Sequence, residues 1–261
     1  MADPFPAVAE AAATGETAEL FADIRVTIGV RVVNLVWRHL ATMDGALPWA
    51  WSTVKPIYLQ GMADRAAERF RESMSLPLLA SLAGPEPASV DDVLASYDHS
   101  NTVNLFALGA LVAWLRGETA DEGTPERGPR MPAPDVTLPK LATQDDVSPE
   151  TWAMVLRLNR FGDREQIILA SMYRHLAHAP AFLRRVEAAL TAASGSLEPA
   201  IEANRRDAHE RARVLARAID TERPLLAAEI EKSVSAFVDH AIGKMVTICR
   251  AIRVSRGYLS S

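Results

Sequence analysis

One cysteine, Cys249, stands among the 261 residues. A single thiol cannot close a disulfide within the chain, and it excludes paired-thiol redox chemistry. The compartment that suits such a chain is a reducing cytoplasm. Long hydrophobic runs are missing too. The most apolar stretch, VNLFALGALVAWL at 103–115, falls well short of the roughly 20 residues that a bilayer demands and reads as a buried helix. The opening MADPFPAVAEAAATGE is acidic and broken by Pro4 and Pro6, without the basic start and apolar core of a secretion signal. No membrane partner is expected. Nor is there an excess of positive charge: 28 Lys and Arg face 33 Asp and Glu, a net charge of -5. The densest basic group, Arg205, Arg206, Arg211, Arg213 and Arg217, is interleaved with Asp207, Glu210 and Asp220. It reads as a solvated helix face, and no nucleic-acid partner is expected. Metal-binding spacing is also lacking. No His-x3-His or Glu-x-x-His pair occurs, and His175 with His178 is a loose match. The histidines therefore read as surface or interface groups, with no metal.

What the chain does hold is alanine and leucine, with hydrophobic residues at 49% and the 13 glycines confined largely to junctions. That composition favours helices. No stretch alternates with period two, so the expectation is an all-α protein without a sheet. Leu20, Ile24 and Ile28 recur at one helix face, and Gly29 ends that helix. RVVNLVWRHLAT (31–42) is apolar nearly all round and predicts a central helix. Pro48 is placed to open the next, a long helix through residue 74 with a kink at Pro56. Ser89 followed by Asp92 marks the start of a helix running through Trp114 to Gly117. Residues 118–146 hold proline-rich linker text with little apolar periodicity. Ser148 and Pro149 then restart the helices, with further starts expected near Asp163, Pro180, Leu197 and Pro224.

The two sides of the linker repeat each other in order. Trp37-Arg38-His39-Leu40-Ala41 matches Tyr173-Arg174-His175-Leu176-Ala177. Asp98-His99 matches Asp239-His240, and Arg116-Gly117 matches Arg256-Gly257. Three words in the same order at nearly one offset predict a duplication, with halves at 15–117 and 147–257 in one compact unit. Two such halves pack about a pseudo-two-fold axis, and a pocket forms naturally where they meet.

The stretch FADIRVTIGVRVVNLVWRHLATMDGALPWAW, with YDHSNTVNLFAL and SMYRHLAHAP further on, resembles the group I 2-haloacid dehalogenases. That family is all-helical and built from two repeats. Its members hydrolyse both enantiomers of short 2-halocarboxylates without metal or cofactor, through an aspartate that activates a water for direct attack. The resemblance places the aspartate between a serine and an aromatic residue. Here Ser171 and Tyr173 match those neighbours, and Met172 occupies the aspartate's own place. A family asparagine matches Asn101, and a family tyrosine of the last helix falls near Phe237, which lacks the hydroxyl. HLAHAPAFLRRV also resembles helical peroxidase-like decarboxylases, but their redox members need Cys-x-x-Cys, which this chain does not have.

A thioether is a weak acceptor and cannot take a proton near neutral pH. The family mechanism is therefore expected to be lost or severely reduced. Met172, Ser171 and Asn101 are the candidate catalytic positions. Asn34, Trp37, Asn104, Tyr173 and Phe237 are the candidate substrate contacts. Met172 also reads as plain packing, since Val36 is its counterpart in the first half. Asp98, one turn before Asn101, is a candidate displaced base. Glu165 shares a helix face with Met172 but stands about 10 Å along the axis. Two readings stay open: a diverged hydrolase acting on a small 2-substituted carboxylate, and a non-catalytic small-molecule binding protein with an apolar pocket between the halves. Abundant apolar helix surface is compatible with a homodimer.

Overall fold

The computed structural model describes residues 6–162 and 168–257. Among these residues every regular element is helical. The first half holds α1 (Gly15–Ile28), α2 (Leu35–Leu40), α3 (Ala46–Leu59), α4 (Met62–Ser73) and α5 (Ala88–Arg116). An extended segment follows, and the second half holds α6 (Pro149–Leu158), α7 (Ser171–Leu176), α8 (Pro180–Ala192), α9 (Ser194–Leu215), α10 (Ala227–Ser235) and α11 (Gly243–Ser255). A π-helical segment, Ala236–Ile242, joins α10 to α11. Among the described residues no helix is long and apolar enough to cross a membrane.

Several boundaries differ from the sequence expectation. The apolar run at 31–42 yields only the six-residue α2, because Asn34 sits at its N-cap and Ala41 closes it. The long helix expected to bend at Pro56 is two helices. Pro56 stays inside α3, and the break falls at Gly61, with φ 65°. A Cβ there would lie 2.0 Å from the carbonyl oxygen of Gly128, so the linker crosses this corner where only glycine fits. α3 opens at Ala46, two residues before Pro48. α5 opens at Ala88 behind Pro87, without the Ser89 cap. α9 and α10 open at Ser194 and Ala227, not at Leu197 and Pro224. The start expected near Asp163 lies outside the described residues. Ser148 caps α6 through the backbone N–H of Thr151, with Pro149 at the first position, as expected.

Two hydrophobic cores organise the molecule, and the long helices change core part-way along. α5 spans about 43 Å at 1.5 Å per residue. Val90, Val93, Leu94 and Tyr97 pack in the core of the second half, whereas Val103 through Leu115 pack in that of the first. The last long helix does the reverse. Ile230, Val234 and Phe237 join the first core, and Met245, Ile248, Cys249 and Ile252 the second. Ion pairs cross in the same reciprocal way. Arg116 pairs with Glu231 at 2.6 Å, and Arg256 pairs with Asp91 at 2.8 Å. Each of these arginines thus reaches across to a helix on the other side of the extended segment.

The repeated Arg-His-Leu-Ala word does equivalent work twice. His39 Nδ1 donates to the Pro6 carbonyl (2.7 Å), and His175 Nδ1 to the Pro139 carbonyl (2.8 Å). Arg38 Nε donates to the Val33 carbonyl and Arg174 Nε to that of Ala142. Each short helix thus pins extended chain to the bundle. Of the surface or interface positions expected for the histidines, His39, His99 and His175 take buried ones, and His39 packs against Phe237. His39 and His175 serve backbone carbonyls that an extended segment cannot satisfy itself, and His99 serves the carbonyl of Ile28 at the end of α1. The basic face of α9 is also less solvated than expected. Arg205 is largely buried, and its guanidinium reaches the carbonyls of Gly162 and His240.

Candidate functional site

The cavity that collects the predicted residues lies at the seam where α5 and the last long helix change core. It measures about 60 Å3, room for roughly four waters or a molecule of a few heavy atoms. Asn34 and Val36 reach it from the start of α2, and Ala170, Ser171 and Met172 from the start of α7. Ser96, Tyr97, Ser100 and Asn101 come from the middle of α5. Phe237, Ala241 and Ile242 come from the π segment, with Met245 beyond. A π turn rotates the side chains off the regular helical register and recurs at functional sites. Here it carries Phe237 into the wall.

Among the sequence-predicted positions, Met172, Ser171, Asn101, Asn34 and Phe237 come together in this lining. Trp37, Asn104 and Tyr173 do not line it. They are buried behind it. Asn104 accepts from the indole N–H of Trp37 (3.3 Å) and the hydroxyl of Tyr58 (2.7 Å), and donates to Asn34 Oδ1 (3.1 Å). Asn34 in turn donates to Ser100 (3.4 Å). This chain of amides orients Asn34 and Ser100 at the cavity wall, and it explains how asparagines are tolerated in an apolar run. The carboxamide of Asn101, on the same helix and buried, takes no hydrogen bond among the described residues.

Met172 is 1% exposed, with its side chain in the second core and at the cavity wall. Asp98 does not reach the lining. Its carboxylate is held by Arg253 at 2.5 Å and Arg250 at 3.3 Å, joining α5 to α11. That commitment removes it as a displaced base. Asp239, its counterpart, is half-exposed and pairs with Arg116. Glu165 lies outside the described residues. No carboxylate and no imidazole lines the cavity among the described residues. The titratable groups there are Tyr97 and Arg38. Burial pushes the Tyr97 phenol well up, while the neighbouring Ser171 hydroxyl and the guanidinium groups of Arg38 and Arg174 pull the other way. Tyr97 therefore stays protonated near neutral pH and offers a hydroxyl, not a base. No group of three or more metal-ligating side chains occurs among the described residues.

Sequence reading missed Arg38, Tyr97, Ser96 and Ser100. The first stands inside the repeated word and was read only as part of the pattern. The others are spaced along one face of α5 with Asn101, a signal that the surrounding apolar text hides.

No protein-family model matches the chain, and no curated protein matches it. Solved structures do. A D-2-haloacid dehalogenase mutant in complex with D-2-CPA superposes with a TM-score of 0.69 over 96% of this chain and 97% of that one. The fold is that of the D-2-haloacid dehalogenases. A further dehalogenase mutant gives a TM-score of 0.70, and the enzyme in complex with L-LA gives 0.71, each covering 97% of both chains. Identities are 17%, 18% and 17%. The dehalogenase likeness thus runs through the whole helical architecture. At this identity it speaks for the fold and leaves the chemistry to the residues of the cavity.

Proposed function

We propose that the chain is a diverged homologue of the 2-haloacid dehalogenases that binds a small 2-substituted carboxylate between its halves, with hydrolysis by water attack lost or much reduced. Supporting this is one observation above the rest: Met172 stands in the cavity wall where the resemblance calls for a general base, and no described lining residue replaces it. Removing a positioned base costs about 100- to 10,000-fold in rate. Asn101 and Ser171 remain able to orient a water or a polar substituent. The reciprocal ion pairs and the twin histidine contacts support reading the halves as copies of one unit about a pseudo-two-fold axis. The lone, buried thiol of Cys249 suits the cytoplasm. The apolar wall made by Val36, Met172, Phe237 and Met245 favours, as a second reading, a binding protein without any turnover.

Halide release from D- and L-2-chloropropionate, run beside calorimetric titration of the same acids, tests the proposal. We expect binding with little or no halide. Turnover matching an enzyme that carries the aspartate overturns the role given to Met172.

A further inference from the structure

Arg38 is the one charged side chain in the described lining of the cavity. It is half-buried in the last turn of α2, and its Nε is fixed on the Val33 carbonyl at 3.1 Å. Among the described residues, its two terminal nitrogens have no hydrogen-bond or carboxylate partner. Several half-buried arginines elsewhere meet carboxylates, Arg250 and Arg253 at Asp98, Arg116 at Glu231 and Arg185 at Glu86, and Arg71 places a terminal nitrogen on the Asp98 carbonyl. A guanidinium drawn partly out of water without a counter-ion is costly unless something supplies the charge. The Nε contact orients the fork and leaves the two terminal nitrogens available, which suits a carboxylate.

We propose that Arg38 is the anion-binding and specificity-determining residue of this cavity, holding the carboxylate of a short monocarboxylic acid whose carbon body lies on Met172, Val36 and Phe237. The inference rests on the cavity being the ligand site and adds which residue selects the ligand. A single cation with no other charge in the described lining fits one carboxylate. A second carboxylate on the ligand would enter an apolar wall without compensation. The narrow cavity suits a small acid, about the size of a substituted propionate. The uncommitted carboxamide of Asn101 is placed to meet a polar group at the 2-position.

Titration calorimetry on the full chain tests this with 2-chloropropionate, its neutral amide 2-chloropropionamide, and malonate. The wild type is expected to bind the acid at least ten-fold more tightly than the amide or malonate. Arg38→Met should weaken the acid about 10- to 100-fold, as loss of charge-assisted hydrogen bonds does, and leave the amide unchanged. Arg38→Lys should recover part of the loss. Equal affinity for acid and amide in the wild type overturns the assignment without need of a variant. So does an Arg38→Met protein that binds the acid undiminished. If the wild type binds neither acid nor amide, the cavity reading itself fails and takes the assignment with it. A purely structural Arg38 would lower the thermal midpoint and weaken acid and amide alike.

Discussion

His175 donates its Nδ1–H to the carbonyl oxygen of Pro139 across 2.8 Å, while its Nε2 is buried without a hydrogen-bond partner among the described residues. Protonation would place an N–H where nothing accepts it. Burial, with Arg174, His178 and Arg38 nearby, accordingly brings the imidazole down to about 4, against the partial support of the Pro139 carbonyl. The ordinary value is about 6.5. The folded state thus binds the proton less readily than the unfolded chain. The associated stability is present above about pH 6.5 and is lost as pH falls towards 4. The loss from this group is on the order of 3 kcal/mol at pH 4. Urea midpoints between pH 7 and 4 should fall less steeply for His175→Gln than for the wild type. An unchanged slope would show that the imidazole is not held neutral.

Met172→Asp should restore a carboxylate between Ser171 and Tyr173. Burial would raise its pKa, and Asn101 would help to keep it ionised. We expect a folded protein that loses on the order of 3–5 kcal/mol, with weak halide release above both wild type and Met172→Ala. Phe237 lacks the hydroxyl that the resemblance calls for, so the gain should be small. A folded Met172→Asp that gains nothing over Met172→Ala would mean a cavity remodelled for another task. A gain that persists in Met172→Asp/Asn101→Ala would take Asn101 out of the mechanism.

Asn104→Leu would orphan the indole N–H of Trp37 and the hydroxyl of Tyr58. Each buried unsatisfied group costs about 1–3 kcal/mol, so unfolding in urea should show a loss of about 2–5 kcal/mol. Asn34 would also lose its donor. Binding of 2-chloropropionate should weaken too, because Asn34, which donates to Ser100 at the cavity wall, loses the partner that orients it. Equal stability of Asn104→Leu and wild type would refute the structural role given to this amide.

Arg116 and Arg256 occupy matching places but different environments. The Arg256 side chain is 2% exposed and also donates to the carbonyls of Leu82 and Gly84, whereas that of Arg116 is 31% exposed. Arg256→Met should cost about 3–5 kcal/mol, against about 0–1 kcal/mol for Arg116→Met, whose pairs solvent screens. Denaturant titrations of the two variants compare them directly. Equal losses would mean that burial does not separate the two pairs.

Sequence alone determined the helical class and pointed to five residues that line the cavity: Met172, Ser171, Asn101, Asn34 and Phe237. Helix propensity and repeated words are local properties, legible wherever neighbours along the chain decide the outcome. The tertiary structure decided the rest. It split the helix of residues 46–73 at Gly61, because the linker carbonyl at Gly128 passes where a Cβ would stand. Asn104 and Trp37 were drawn behind the cavity, because each is the other's buried partner. Asp98 was committed to Arg250 and Arg253, which stand more than 150 positions further on. Arg38 was left facing a cavity whose described lining holds no acid, which follows only from where the two cores meet. Pairing between distant segments depends on how they pack, and no local pattern in the chain records it.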